Sequence, residues 1–534
     1  MPQKPSFRMN VLAGTLLLCM LGLIVQLMRV QRGDRIAEAG VRQGKYHLHV
    51  PLCAGTIYDR NLNPLNNSEE QILAVVNPTP ETISSIYAKI RDKDALTAQL
   101  QRVSPFVCNL TEAAPSSQNL IVLHGRCDAA GARPAQHLLG YAQNGERVAG
   151  LERAYADWLA ECDAAADITF TVSGVGEVLA GADSSFQLSG KAGGGILTTL
   201  DLRVQEIAER ALSTLNVPGA AVVLDCHTGD ILACASLPAY APDDLAAALD
   251  APDAPFVNRA LSAYSVGSVF KLVIAAAALE NGFNTQYRYD CTGQINIYGQ
   301  RFRCHKWNGH GLLNMENALI HSCNPYFISL TRILPADILH DTASALGFGE
   351  EISLADSLGS VSGTLQSVRD LQIDAEKANF SFGQGKLLAT PLQVAAMTAC
   401  IANDGVYCVP RLVIGKTPDG ITAQADAKQE SQRWRVLRSE NAAAIREMMT
   451  AVLEKSDSAN GKPYNTRAGG KTSTAQTGQF DETGTELCHA WMTGFFPADT
   501  PQYAVTVFAE NGGSGNETAA PVFRAIIEAM MRLQ

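Results

Sequence analysis

The sequence predicts an α+β domain over residues 195–534, behind a smaller module and an apolar N-terminal segment. Three observations carry the prediction. Strand-like apolar runs stand early in the domain, at Leu197–Leu200, Ala220–Asp225 and Asp230–Ser236. Further runs close it, at Ala468–Ala475, Ala490–Phe495 and Ala504–Glu510. Between them apolar residues recur at helical spacing, and strands around a helical block segregate into a sheet layer and helix layers.

Taken from the start, the chain opens with an anchor. No charged side chain occurs between Arg8 and Arg29, and Val11 to Met28 is apolar apart from Thr15, Gln26 and glycines. Such a run is near the minimum for a membrane-spanning helix and long for a core helix. A cleaved signal peptide is the rival reading, with Ala37-Glu38-Ala39 as its cleavage site. The charges Arg29, Arg32, Asp34 and Arg35 separate that site from the apolar run, which favours an uncleaved anchor. The expected plan is a tail over 1–10, an anchor over 11–30, an elongated N-terminal pedestal module over 31–194 and the α+β domain over 195–534. Lys4 and Arg8 before the span balance Arg29, Arg32 and Arg35 after it, so charge does not set its orientation.

In the module, Leu48–Val50 and Thr56–Tyr58 read as strands, Asp59–Pro64 as a turn and Glu81–Val103 as a helix. The stretch 162–195, rich in Ala, Gly and Ser, reads as a linker containing short strands. In the domain, Asp201 caps a helix over Leu202–Leu215. His227-Thr228-Gly229 turns between two apolar strands and makes a hairpin. Gly267–Glu280 is apolar nearly all round, so it belongs at a domain centre, with Asn281-Gly282 ending it. Helices follow over Met315–Ile333, Ala336–Leu346 and Leu392–Asn403, with Pro335 parting the first two. Polar 416–432 reads as a surface hairpin, and Ala442–Leu453 and Pro521–Leu533 as helices.

Composition narrows the function. The 534 residues carry 42 Lys and Arg against 53 Asp and Glu, a net charge of −11. A net acidic chain lacks the basic face that grips nucleic acid. At 46% hydrophobic and 18% charged it has ample material for cores. Of the 13 cysteines, Cys19 lies in the apolar run and no CxxC pair occurs. Cys291 and Cys304 flank an expected hairpin over Thr292–Arg303 and could pair, with His305 and His310 close behind. Without CxxC spacing a zinc site is disfavoured, and no metal or other cofactor is expected.

The chemistry starts at Ser268-Val269-Phe270-Lys271, the only S-x-x-K in the chain. Residues three apart share a helix face, so the hydroxyl and the amine are neighbours. Ser268 also stands at a helix start, beside unpaired N–H groups. The neighbours of Lys271 are apolar, and desolvation favours a neutral amine. Such an amine can take the serine proton and make the oxygen a nucleophile. A capping serine followed by a surface lysine would give the same tetrapeptide, but a buried lysine without a task is costly. Ser322-Cys323-Asn324 and Lys471-Thr472-Ser473-Thr474 follow in order. Each is weak alone; S-x-x-K, S-x-N and a K-T-G-like strand in that order are strong together.

With these motifs the chain resembles the penicillin-binding protein transpeptidases, most closely the monofunctional class B group. Ala54-Gly55-Thr56-Ile57-Tyr58-Asp59-Arg60-Asn61 looks like that group's opening motif, and His137–Gly140 with Gly150-Leu151-Glu152 like its second patch. Leu197–Asp201, Gly309-His310-Gly311, Ser381–Gly385 with Thr390-Pro391, and His489-Ala490-Trp491 with Gly494 match the family texture of the catalytic part. The resemblance implies the serine transpeptidase fold shared with β-lactamases. It implies Ser268 as the acylated nucleophile, Lys271 as its base, Ser322 as proton relay and Asn324 as the group that orients the substrate amide. Lys471 and Thr472 would hold the substrate's carboxylate, and the N–H groups of Ser268 and Thr474 would form the oxyanion hole. Two residues depart from the pattern: Ala54 stands where the family usually has Arg, and Ser473 where it has Gly. Strand alternation puts Ser473 on the face opposite Thr472, pressing on whatever packs behind the strand.

The activity implied is a peptidoglycan D,D-transpeptidase that attacks D-Ala–D-Ala, releases D-Ala and passes the acyl group to a neighbouring strand's amine. β-Lactams would acylate it. The resemblance also implies the expected partners: stem peptides, lipid-linked nascent glycan strands, a membrane glycosyltransferase and other wall-synthesis proteins. Nucleic acid is not among them. The substrate lies outside the membrane, so a single-pass protein with an extracytoplasmic catalytic domain is expected. A catalytically weak penicillin-binding scaffold is the alternative, and Ser473 is the one feature that favours it.

Overall fold

The computed structural model describes residues 7–31, 44–100, 103–179, 181–182, 184–426, 431–456 and 459–533. The Ala37-Glu38-Ala39 segment and most of the 1–10 tail lie outside them. The chain divides into two compact units: 1–54 with 69–127 and 163–190, and 55–68 with 128–162 and 191–534. The segments 55–68 and 128–162, assigned from sequence to the N-terminal module, thus pack within the larger unit.

In the smaller unit, Phe7–Gln31 is one helix. Its stretch Met9–Arg29 is long and apolar enough to cross a membrane, and its apolar side chains stand exposed. Lys45–Cys53 pairs with Ala164–Thr171, which pairs with Ser185–Ser189. A second sheet sets Glu69–Val76 between Phe106–Leu110 and Leu120–Cys127. The single helix expected over Glu81–Val103 is broken. Pro80–Ile86 and Lys93–Gln99 are separate helices. Between them Ile90 turns extended and bridges Leu110, and Asp92 caps the second helix through the N–H groups of Asp94 and Ala95. Buried Ile90 and Leu110 share one apolar cluster, and that packing outweighs local helical spacing.

The larger unit is built on a five-stranded antiparallel sheet. Its order is Ile231–Leu237, Gly219–Asp225, Tyr503–Ala509, Glu486–Phe496, Gly469–Phe480. Alternate residues of one strand enter two different cores, as strand periodicity requires. Ala220, Val222 and Leu224 join the core around Lys271–Glu280 and Pro391–Ala402. Ala221 and Val223 join the one around Leu202–Leu212 and Ala520–Met530. The sheet is therefore sandwiched between helix layers, with the apolar helix Lys271–Glu280 buried as its composition demanded.

The opening motif has a structural task. Thr56–Tyr58 runs parallel to Gly195–Thr198. Buried Asp59 accepts the N–H groups of Asn61 and Asn63 at 2.8 Å each and of Leu202 at 3.0 Å, tying that turn to a helix start. Beside the second patch, buried Arg133 bridges Asp128 and the patch's own Glu152 at 2.9 Å each.

Two expectations need correction in this unit. Gly267–Phe270 is a 3-10 turn, and the α-helix begins only at Lys271. The helix expected over Met315–Ile333 is two, Met315–Ile320 and Asn324–Ile333, parted at His321-Ser322-Cys323. That break turns out to hold the second motif.

Candidate active site

Three elements meet at one point. The first is the tight turn Gly267–Phe270, which presents Ser268. Gly267 has φ +64° and its N–H donates to the Gly383 carbonyl at 2.8 Å. A Cβ at Gly267 would collide with Ser473 Oγ, and one at Gly383 with the Gly267 carbonyl. Glycine is thus required on both sides of the close approach between the Gly267–Phe270 turn and the Ser381–Gly385 loop. Buried Trp491 donates its indole N–H to the Ser265 carbonyl at 2.9 Å and holds the approach to the turn.

The second is the break between the two helices. Ser322 adopts φ +48°, a left-handed conformation that costs a non-glycine residue about 1–3 kcal/mol when the surroundings enforce it. The turn aims both its hydroxyl and its carbonyl at Lys271. Asn324 opens the next helix and faces the same lysine. The third is Gly469–Phe480, the edge strand of the sheet, carrying Lys471, Thr472, Ser473 and Thr474.

Lys271 is the hub. It has no exposed surface, and its Nζ lies 3.0 Å from Ser268 Oγ, 3.1 Å from Ser322 Oγ, 2.7 Å from the Ser322 carbonyl and 2.7 Å from Asn324 Oδ1. An ammonium has three protons for these four oxygens. The carbonyl and the amide oxygen can only accept, while the two hydroxyls can also donate. A neutral amine satisfies the set: two protons go to the obligate acceptors and the lone pair is left for a hydroxyl proton. Burial pushes the Lys271 pKa well below the usual lysine range, and the Lys471 charge adds to the shift.

Lys471 is also buried, and its Nζ reaches Ser322 Oγ at 3.2 Å and the Thr472 carbonyl at 2.9 Å. Burial brings its pKa down to about 8. Ser322 Oγ therefore lies between two amines, suited to passing a proton in either direction. Ser473 is buried, and its hydroxyl accepts the Ser268 N–H at 2.6 Å. Thr474 is exposed and accepts the Gly515 N–H at 3.2 Å, and Thr472 is half-buried. The eight site residues named from sequence thus converge: Ser268, Lys271, Ser322, Asn324 and Lys471 form one chain of contacts, and Thr472, Ser473 and Thr474 continue the strand beside it.

Sequence reading weighed Cys291, Cys304 and His310 and disfavoured a zinc site there; it missed Cys323 as the fourth member. Sγ of Cys291, Cys304 and Cys323 and a ring nitrogen of His310 all lie within 4.8 Å of one another. No disulfide joins these thiols. His310 Nδ1 stands 3.4 Å from Cys304 Sγ, and its ring stacks on His321. The hydrogen bond between Cys304 and Cys323 lowers the first thiol's pKa and raises the second's. Three thiols and one imidazole are the donor set of a closed, four-coordinate zinc site. The four come from a strand end, a hairpin end, a loop and a helix start, so no CxxC spacing betrays them. Bound there, an ion would hold Cys323, and with it the strained turn that carries Ser322 and Asn324. Full-length protein purified without chelator is expected to carry about one zinc per chain by elemental mass spectrometry. Cys304→Ser with His310→Ala is expected to release it and lower the melting temperature by several degrees, because metal binding free energy is folding free energy. Metal-free protein whose melting point ignores added zinc would count against this reading.

Comparison with known proteins bears on the whole arrangement. Residues 219–528 match the penicillin-binding protein transpeptidase domain. The peptidoglycan D,D-transpeptidase MrdA of Acinetobacter baumannii is 30% identical, with 62% of this chain and 53% of that protein aligned. The peptidoglycan D,D-transpeptidase PbpA of Mycolicibacterium smegmatis is 32% identical over 64% of this chain and 73% of its own. The chain spans about half the length of the first of these relatives. Among solved structures, a chain from a study of polymerization and crosslinking by a peptidoglycan synthase complex is 25% identical, with TM-score 0.66 and 99% of each chain covered.

Proposed function

Because the chain belongs to the penicillin-binding protein transpeptidase family, we propose that it cross-links peptidoglycan through an acyl-enzyme on Ser268. Lys271 takes the Ser268 proton as Oγ attacks the carbonyl of a stem-peptide D-Ala–D-Ala bond. Ser322 passes a proton to the departing nitrogen, D-Ala leaves, and an ester joins the stem peptide to Ser268. An amine from a neighbouring strand then attacks that ester, loses its proton to the same relay and frees Ser268. Asn324 holds Lys271 through Oδ1 and, among the described residues, its Nδ2 has no protein partner, leaving it for a substrate carbonyl. Lys471 and Thr472 supply charge and a hydroxyl for the terminal carboxylate, and Ser473 and Thr474 line the same strand. A β-lactam would enter as a strained amide and leave Ser268 acylated.

The observation that carries this reading is that buried Lys271 Nζ, beyond its two obligate acceptors, stands 3.0 Å from Ser268 Oγ and 3.1 Å from Ser322 Oγ, so a neutral amine there can take a hydroxyl proton. It also weighs against a degenerate scaffold. Fluorescent-penicillin labelling of the purified protein, followed by mass mapping, tests it. One adduct on the Ser268 peptide is expected; an adduct elsewhere, or none, would refute the assignment.

For location, the proposal is a single-pass membrane protein with its catalytic domain outside the cytoplasmic membrane, where the substrate is. The helix Phe7–Gln31, at about 1.5 Å rise per residue, is long enough for the hydrocarbon core. The intact protein is expected in the membrane fraction, and a variant lacking Met1–Gln31 in the soluble fraction. A mature N-terminus at Gly40 would show a cleaved signal instead. Lipid-linked glycan strands and a membrane glycosyltransferase are the partners proposed, and the similar chain from the study of a peptidoglycan synthase complex supports them.

A further inference from the structure

The hydroxyl of Ser473 occupies a group that acyl transfer at Ser268 needs. Attack by Ser268 Oγ puts negative charge on the oxygen of the carbonyl it reaches, and donors must already point at the place where that charge develops. The backbone N–H of the nucleophilic residue is a donor of this kind, because it lies beside the attacked carbon by covalent connectivity. In this site that N–H is bonded at 2.6 Å to Ser473 Oγ.

The contact is built in rather than incidental. Ser473 is 2% exposed and faces buried Trp491 across the ladder. Its hydroxyl sits where a Cβ on Gly267 would have to go. It is thus confined between the strand and the nucleophile turn. An amide N–H has one proton and cannot serve two acceptors at full strength. From these contacts, and resting on the reading of Ser268 as nucleophile, we propose that Ser473 is a built-in brake on acylation. In the resting enzyme its hydroxyl holds the Ser268 N–H, and it must give that proton up, by rotating or by sharing, as the tetrahedral oxyanion forms. The bonds made and broken in the reaction are unchanged; only the readiness of one donor differs.

The brake has three linked consequences. Removing the hydroxyl should raise the acylation rate constant, raise the rate at which the acyl-enzyme hydrolyses, since the same oxyanion re-forms, and leave the preceding non-covalent affinity unchanged. A missing oxyanion donor costs up to about 10²–10³ in rate, so a partly engaged one should cost about tenfold or more. The experiment measures penicillin acylation, deacylation and pre-covalent binding for the full chain and for Ser473→Ala and Ser473→Gly, with melting curves as a check on folding. Roughly equal gains of about tenfold in both variants, in both rate constants, are expected. A gain confined to Ser473→Gly would place the effect in the Cβ and a displaced strand, overturning the hydroxyl brake. Unchanged or slower rates in Ser473→Ala would overturn it as well, the slower case marking the hydroxyl as a helper. If the native protein and both variants all fail to label, the nucleophile assignment fails and the brake falls with it.

Discussion

Ser268→Ala is expected to abolish covalent penicillin labelling while leaving the protein folded. The substitution removes one oxygen from a tight turn whose course is set by other contacts: the Gly267 N–H on Gly383, the Trp491 indole on Ser265, and the Ser268 N–H on Ser473. None of these uses the Ser268 side chain. Lys271 Nζ loses one of its four oxygen neighbours and keeps the two obligate acceptors. The melting temperature should therefore stay within a few degrees of the native value, since such a change is worth no more than about 1 kcal/mol. The chemistry has no such reserve. Without Oγ there is no atom to form the ester, and losing a nucleophile from a catalytic unit costs about 10⁶ in turnover in a well-studied serine protease. Mass spectrometry after prolonged exposure to penicillin should show unmodified protein. An adduct of unchanged mass on the variant would mean that another residue is acylated, and Lys271 as base and Ser322 as relay would lose their basis.

The pairing of Ser268 with Lys271 was legible because helical periodicity is a local rule: three residues along a turn bring two side chains together whatever the rest of the chain does. The burial of Lys271 followed from its apolar neighbours for the same reason. The hairpin at Gly229 and the three closing strands were legible because strand alternation and turn chemistry are local too. What was hidden depends on distant partners. The helix through Met315–Ile333 breaks at Ser322 although its spacing continues, because the turn is enforced by contacts to Lys271 and Lys471 from remote segments. Cys291, Cys304, His310 and Cys323 converge only after a hairpin, a loop and a helix are placed. Residues 55–68 fold with the larger unit because Asp59 and the strand Thr56–Tyr58 find their partners at Gly195–Leu202, and residues 128–162 because the Ala135 N–H reaches Glu209 and the Trp158 indole N–H the Gly195 carbonyl. The face of Ser473 could be read from alternation, but its acceptor role toward the Ser268 N–H could not.

Lys271→Ala is expected to slow acylation by about 10²–10⁴, the range lost when a positioned general base is removed. It differs from the serine variant in also disturbing the site. Its Nζ satisfies the Ser322 carbonyl and Asn324 Oδ1, both at 2.7 Å and in a setting closed to solvent at the lysine itself. Losing that donor leaves two acceptors unpaired, at about 1–3 kcal/mol each, and opens a cavity beside the Gly267–Phe270 turn. A lower melting temperature is expected, and a lost rate alone would not separate a missing base from a collapsed turn. Lys271→Met supplies the control, since it fills a similar volume and carries no basic nitrogen. If the amine acts as the base, Ala and Met variants should acylate equally slowly even where the Met variant recovers part of the melting temperature. If the amine serves only to hold Ser322 and Asn324 in place, rate should follow stability, and the Met variant should acylate measurably faster than the Ala variant. Normal acylation in either variant, measured as the rate of adduct formation on Ser268, would rule out proton transfer to Lys271 altogether. It would leave the four-oxygen cluster as a device for shaping the strained turn at Ser322.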